Sequence, residues 1–334
     1  MRFGLALPQY GFSLADGATE FSETAAWAQR AEAVGFDSVW LSDHLFYTFA
    51  RYGADPAPLA ALEPMTALAG IAATTQRVRL GTLVVCAPFR HPAVLAKMAV
   101  TIDRISGGRL DLGVGAGWLG EEFTAFGLPF GSVGERFALL EETLGALSAL
   151  QSGTPATYVG SSVALHEARL LPGPVHGHMP ILLGGKGGPR LLGLAARYAD
   201  GWNTVWRVNP EAYAPRSAAA DAACEAIARD PSSLRRTVGL YTVVGEDEAA
   251  ARSAFERGRA TFPGGAMEAD TWETWRSDTL SGSPEQAVER VHELERLGID
   301  EIVVSPWTLP FAVPEPEIVD VFAEGVIAPI RASA

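Results

Sequence analysis

The sequence predicts an α/β fold: a closed (β/α)8 TIM barrel with an insertion after the fourth strand–helix unit. First, short apolar runs rich in β-branched residues alternate with helical segments along the whole chain, as in parallel sheets buried on both faces. Second, eight such units can be counted, which favours a barrel over the alternative, a doubly wound open sheet. Third, residues 35–42 (GFDSVWLS) are similar to residues 298–305 (GIDEIVVS), which indicates internal repetition.

Each unit is identified by local signals. The predicted strands are apolar runs that end at glycine, proline or polar residues; they are residues 3–7, 36–41, 78–85, 109–114, 181–183, 202–205, 237–244 and 299–304. The predicted helices have apolar positions at helical spacing; they are residues 19–34, 63–75, 92–105, 133–150, 189–198, 210–228, 247–258, 284–297 and 316–330. Ser283 to Gln286 form a capping box that begins the helix 284–297.

The clearest unit covers residues 92–114. Gly107 and Gly108 end its helix, because glycine adopts the left-handed cap conformation without steric cost. The apolar strand that follows leads into Gly115 and Gly117, where no side chain would prevent a close approach of a ligand to the backbone. One apolar stripe of this helix is expected to face the core; it consists of Leu95, Met98, Ile102 and Ile105.

Two stretches depart from the alternation. Residues 151–179 and residues 259–282 contain several glycines and prolines and show no clear period, so both are predicted to be irregular insertions in a single domain that covers residues 1–334.

Composition excludes several classes of function. The chain has 334 residues, of which 48% are hydrophobic, and a formal net charge of −13. An acidic protein of this kind is not expected to bind nucleic acid or anionic membranes. Cys86 and Cys224 form no disulfide or metal-binding pattern, no metal site is predicted, and no apolar run is long enough for a membrane span. A cytoplasmic protein is expected.

The barrel prediction selects catalytic candidates before any family is considered, because the site of a (β/α)8 barrel lies at the C-terminal ends of its strands. Asp43 and His44 directly follow the second strand. Histidine donates or accepts protons near neutral pH, so His44 is the predicted proton donor or acceptor, and Asp43 is predicted to orient it. The alternative is a polar pair that only holds a loop in place.

A glycine-rich loop connects the fifth strand to its helix. Backbone N–H groups at a helix N-terminus attract phosphate, and glycine lets the phosphate approach closely. This loop is therefore the predicted phosphate site, with a flexible turn as the alternative; it consists of Gly184, Gly185, Lys186, Gly187 and Gly188. Residues 115–120 match G-x-G-x-x-G, but they follow the fourth strand and Pro129 comes soon after, so a nicotinamide site is not predicted.

Several motifs together resemble the bacterial luciferase-like flavin monooxygenase and deazaflavin-dependent oxidoreductase superfamily, over nearly the whole length. The motifs are LSDH at residues 41–44, RLGTLV at 79–84, HP at 91–92 with RLDLGVGAGW at 109–118, PILLGG at 180–185 with ADGW at 199–202, and GSPEQ at 282–286.

The resemblance implies a (β/α)8 barrel that is a homodimer or larger homo-oligomer and binds an isoalloxazine-type ring across its strand ends. It implies a non-proline cis peptide at Leu83–Val84 behind the ring. Asp43 and His44 would lie near the ring and substrate, Trp118 would line the pocket beside Gly115 and Gly117, and the loop 184–188 would bind the phosphate. The glucose-6-phosphate enzymes of the superfamily have an acidic residue where this chain has Trp118, which argues against a sugar-phosphate substrate.

Three functions follow as hypotheses. The first is an oxidoreductase that transfers hydride between coenzyme F420, a deazaflavin, and a C=C, C=N or carbinol carbon of a small molecule. The second is an FMN-dependent two-component monooxygenase that a partner reductase supplies with reduced flavin. The third is a barrel that binds a cofactor or ligand without catalysis. The motifs SDH and GVGAGW are closer to the deazaflavin-dependent branch, so the first is preferred.

Overall fold

A computed structural model describes residues 1–333. Its strands are β1 Arg2–Ala6, β2 Ser38–Leu41, β3 Arg79–Thr82, β4 Val85–Cys86, β5 Leu110–Gly115, β6 Ala156–Val159, β7 Ala164–Ala168, β8 Ile181–Gly184, β9 Gly201–Trp206, β10 Arg235–Val244, β11 Leu280–Gly282 and β12 Glu301–Ser305. Its α-helices are α1 Phe21–Val34, α2 Pro64–Thr74, α3 Pro92–Ser106, α4 Gly120–Ala125, α5 Val133–Gln151, α6 Pro189–Tyr198, α7 Pro210–Glu225, α8 Glu248–Thr261, α9 Trp272–Asp278, α10 Pro284–Arg296, α11 Glu317–Phe322 and α12 Ala328–Ala332.

Eight parallel strands close into a barrel. Their order around the ring is β1, β2, β3, β5, β8, β9, β10 and β12, and β12 pairs again with β1. The predicted (β/α)8 barrel is confirmed, and the open sheet is wrong because no strand of the ring has a free edge. Since all eight strands are parallel, their C-terminal ends share one mouth. Within the described residues, no helix is both long and apolar enough to cross a bilayer.

A tryptophan fills the barrel interior because two neighbouring strands carry glycine beside it. Trp40 on β2 is fully buried. A Cβ atom at Gly4 on β1 would lie 2.4 Å from the Trp40 ring, and one at Gly81 on β3 would lie 2.1 Å from it. Any side chain at these two positions would displace the indole ring, so the interior packing requires glycine on both sides.

Several local predictions need correction. Ile105 is 47% exposed, since the buried face of α3 turns toward Ser106 at this end of the helix. The segment 151–179 contains the antiparallel hairpin β6–β7, which Glu142 of α5 holds by accepting hydrogen bonds from the backbone of Ser161, Ser162 and Val163. These two strands are short and mostly exposed, so the sequence shows no apolar period there.

The second predicted irregular segment, 259–282, is also largely ordered. It contains α9 and the strand β11, which pairs with the far end of β10. The predicted strand 78–85 is interrupted, because β3 ends at Thr82 and pairing resumes at β4. The predicted last helix is present as one continuous run that contains α11, a π-helical turn Ala323–Ile327, and α12.

An ion pair lies near the N-terminal end of the barrel, opposite the mouth. Asp111 of β5 is 1% exposed and accepts hydrogen bonds from Arg79 Nε at 2.6 Å and Arg235 Nη2 at 2.8 Å. Burial alone would raise the pKa of the Asp111 carboxyl, but the hydrogen bond and charge of Arg79 with the charge of Arg235 outweigh it and hold that pKa below its ordinary value. This carboxylate joins β3, β5 and β10.

Candidate active site

The mouth of the barrel is assembled from the ends of β1, β2, β3, β5 and β8. The side-chain amide of Gln9, after β1, donates to Ser42 O at 2.7 Å and accepts from Ser42 N at 2.6 Å. After β2 the chain continues into His44, and Leu83 N donates to Leu41 O at 2.7 Å. These contacts fix the ends of β1, β2 and β3 relative to one another.

The imidazole of His44 is held by a glutamate from the loop region beyond β5. Nδ1 of His44 lies 2.9 Å from Oε1 of Glu122 on α4, and Glu122 Oε2 accepts a hydrogen bond from Leu45 N at 2.7 Å. Glu122 is 2% exposed. A carboxylate oxygen accepts the hydrogen of Nδ1, so Nε2 is the nitrogen left for chemistry. Among residues 1–333, Nε2 has no hydrogen-bond partner.

The prediction that Asp43 orients His44 is wrong. The Asp43 carboxylate accepts hydrogen bonds from Cys86 N at 2.9 Å and from both terminal nitrogens of Arg90, the second at 3.0 Å. Arg90 also donates to Glu63, the residue that caps the N-terminus of α2. Asp43 therefore ties the end of β2 to β4 and α2 behind the mouth, and Glu122 takes the orienting position.

An apolar floor lies between β3 and β8. The Leu83–Val84 peptide bond is cis, as the family resemblance implies. The Val84 side chain covers two predicted glycines on neighbouring strands: a Cβ at Gly115 or at Gly184 would lie 2.6 Å from a Val84 methyl group. Gly117 has φ +76°, and a Cβ there would lie 2.6 Å from Cys86 Sγ. No side chain projects from these glycines into the mouth.

The glycine-rich loop after β8 presents backbone N–H groups. Gly185 N donates to Asn203 O at 2.9 Å, whereas the N–H groups of Lys186, Gly187 and Gly188 have no acceptor among residues 1–333. Pro189 then begins α6, and the N-terminus of this helix has no side-chain cap. The Lys186 side chain is exposed. The loop has the donors that an anion requires.

Aromatic rings form the wall of the mouth next to His44. The ring centroids of Tyr47 and Trp118 lie 5.3 Å and 5.6 Å from that of His44, both edge-on, and Tyr10 lies 6.1 Å away. Tyr10 is buried, and this burial raises the pKa of its phenol well above the ordinary value. Trp118 is 44% exposed, so part of its indole face is open to a ligand.

The structure thus brings His44, Val84, Gly115, Trp118 and the loop 184–188 to one mouth, as predicted. Sequence reasoning missed Glu122. Two adjacent glutamates, Glu121 and Glu122, follow Trp118 closely in the chain. Their position after the end of β5 is the sequence signal for a carboxylate at the mouth. Only the helical turn of α4 decides that the second of the two points inward. Within residues 1–333, no group of three or more His, Cys, Asp or Glu side chains could hold a metal ion.

Comparisons with known proteins agree with this architecture. The chain is 34% identical over 231 residues to the F420-dependent hydroxymycolic acid dehydrogenase of Mycobacterium tuberculosis, covering 69% of this chain and 61% of that protein. It is 29% identical over 280 residues to an F420-dependent glucose-6-phosphate dehydrogenase of Amycolatopsis mediterranei, covering 83% and 76% of the two chains.

A solved structure supports the fold independently. The coenzyme F420-dependent tetrahydromethanopterin reductase of Methanopyrus kandleri superimposes with a TM-score of 0.78 over 98% of each chain, at 21% identity. The family model described as luciferase-like monooxygenase matches residues 1–301. The barrel and this match lead to one conclusion: the chain belongs to the luciferase-like monooxygenase family of enzymes.

Proposed function

We propose that this protein is an F420-dependent oxidoreductase that transfers hydride between coenzyme F420 and a small organic substrate. The observation that carries the proposal is that two features open into the same mouth: the His44 imidazole, whose Nε2 has no hydrogen-bond partner among residues 1–333, and an apolar floor formed by Val84 between two glycines. Two relatives over substantial parts of the chain are named F420-dependent dehydrogenases, which favours this cofactor over FMN.

The residues present fit a planar ring with a phosphate-bearing tail. Val84, flanked by Gly115 and Gly184, offers an apolar surface on which a flat ring can rest. The unpaired N–H groups of the loop 186–188 offer a phosphate the hydrogen bonds it requires. Gly184 lies beside Val84 on the floor and is also the first residue of the loop 184–188, so one ligand can contact the floor and the loop together.

The chemistry then divides between cofactor and protein. When bound, the deazaflavin ring supplies a carbon that accepts or releases hydride. His44 Nε2 takes the proton of a substrate hydroxyl, or returns it in the reverse direction. Glu122 keeps the hydrogen on Nδ1 and so keeps Nε2 available. The rings of Tyr47 and Trp118 exclude water from that side of the imidazole.

Cofactor titration tests the proposal. Purified protein is titrated under nitrogen with F420 and with FMN, each oxidised and reduced. We expect F420 to bind at least about tenfold more tightly, a difference of about 1.4 kcal/mol. A tenfold preference for FMN instead would contradict the proposal.

A flavin-dependent monooxygenase is the second candidate, because the matching family model carries that description. In this case FMN would bind in preference to F420, product formation would require oxygen, and a partner reductase would have to supply reduced flavin. Oxygen consumption with FMN, a reductase and NADH would support it, whereas hydride transfer from F420 without oxygen would exclude it.

Glu122→Gln is expected to lower kcat about tenfold to hundredfold while the cofactor Kd and the melting temperature stay the same. Glutamine can turn its NH2 group toward Nδ1 and thereby move the histidine hydrogen to Nε2. The 15N chemical shifts of the His44 ring report this tautomer change, which a purely structural role would not produce. Glu121→Gln, on the neighbouring exposed residue, is the control. Unchanged ring shifts in Glu122→Gln would contradict the positioning role.

A further inference from the structure

An arginine without a carboxylate partner stands at the edge of the mouth. Arg51 lies in a 3-10 turn, Ala50–Tyr52, on the loop after β2. Its guanidinium carbon is 4.7 Å from the centre of the Trp118 ring and 5.1 Å from that of Tyr52. The side chain is exposed, and among residues 1–333 it makes neither an ion pair nor a hydrogen bond. By contrast Arg207, which follows β9, pairs with Asp270 through both terminal nitrogens.

The arrangement leaves the hydrogen-bonding edge of this guanidinium free. Stacking on an indole uses the face of the guanidinium, whereas a carboxylate binds to its N–H edge. Two acids on adjacent elements have other partners: Glu122 accepts from His44 and Leu45, and Asp55 accepts from Ala57 N. Arg51 is therefore a cation with its donors still available, in a protein whose net charge is −13.

Its position relative to His44 is set by one shared ring. The Trp118 ring contacts the Arg51 guanidinium, and its centroid lies 5.6 Å from that of the His44 ring. Tyr47, which is buried, lies next to both rings, with its centroid 6.2 Å from that of Trp118 and 5.3 Å from that of His44. An anionic group on Arg51 would leave the rest of a small molecule lying along these rings and pointing toward the imidazole.

The segment 259–282 packs against this loop. Phe262 contacts the Tyr52 ring edge-on at 5.5 Å between centroids. Gly264 packs so closely on the loop that a Cβ there would lie 2.0 Å from Tyr52 O. Packing of this kind fixes the backbone beneath Arg51 and lowers the entropic cost of ordering its side chain on a ligand.

We propose that Arg51 is the anion receptor of the substrate site, and that the substrate is a small organic acid. Its carboxylate binds to the edge of the Arg51 guanidinium, its apolar body lies along Tyr47 and Trp118, and its reacting carbon faces His44. The substrate class rests on the proposed oxidoreductase function; the anion site itself stands on the geometry around Arg51.

The test compares two probes of the same shape, benzoate and benzamide, by calorimetric titration of the F420-bound protein. We expect benzoate to bind at least about tenfold more tightly, because a forked guanidinium–carboxylate contact adds to the stacking. Arg51→Gln should remove this preference and leave the F420 Kd unchanged. Arg169→Gln, at another exposed arginine that follows β7, should leave both constants unchanged.

Three results would overturn the proposal: no benzoate binding to the wild-type protein, equal binding of the two probes, or a weakened F420 Kd in Arg51→Gln, which would assign Arg51 to the cofactor tail. If F420 does not bind at all, the same titration is done on the free protein. If the free protein then prefers benzoate and Arg51→Gln does not, the anion site is supported and only the proposed F420-dependent function is contradicted.

Discussion

The variant His44→Ala should lose turnover by about 10²–10⁴-fold, the usual contribution of general acid–base catalysis, while F420 still binds. The loss is expected because Nε2 is the proton-transferring atom of the proposed mechanism, held by Glu122 through Nδ1. Cofactor binding should survive because the floor at Val84 and the loop 184–188 make their contacts without the imidazole.

The measurement is kcat and kcat/KM with F420 and the substrate found by screening, together with the F420 Kd from absorbance titration. His292→Ala is the matched control, since this histidine lies on α10 with 44% of its side chain exposed and pairs only with Glu295. Turnover within about twofold of the wild type in His44→Ala would remove His44 from the mechanism.

Asp111→Asn should lower the free energy of unfolding at neutral pH by about 3 kcal/mol. The substitution leaves Arg79 and Arg235 facing each other without their carboxylate, and breaking a buried ion pair costs about 3–5 kcal/mol. We expect the lower end of that range because the two arginine side chains remain 29% and 23% exposed and so keep part of their hydration. Urea denaturation measures the difference.

The pH dependence gives a second check on Asp111. Its pKa is lower in the folded state than in the unfolded chain, so its contribution to stability is present above the unfolded value of about 3.9 and is lost as the pH falls through the folded value. The difference in stability between the wild type and Asp111→Asn should therefore begin to shrink below about pH 4 and disappear only below the folded pKa of Asp111.

The control for this effect is Glu315→Gln, which removes a two-pronged but exposed contact with Arg257. It should cost less than about 1 kcal/mol, as surface ion pairs do. Equal losses of unfolding free energy in Asp111→Asn and Glu315→Gln would show that burial does not strengthen the Asp111 ion pair.

The sequence by itself determined the barrel and the end of it that carries the site. Alternation of apolar strands with helices is a local property, and so are the glycines that end helices at Gly35 and Gly107, both of which have positive φ angles in the structure. Once eight parallel strands close, their ends must share one face. His44 and the loop 184–188 could therefore be assigned to one mouth from strand position alone.

The tertiary structure alone decided which side chains meet at that mouth. Asp43 and His44 are neighbours in the chain, yet their side chains point to different partners, Arg90 and Glu122. Successive residues of an extended backbone project in opposite directions, so adjacency in sequence does not make a pair. Glu122 lies 78 residues from His44, and no local pattern reports a contact over such a distance. Only the packing of α4 across the strand ends brings the two together.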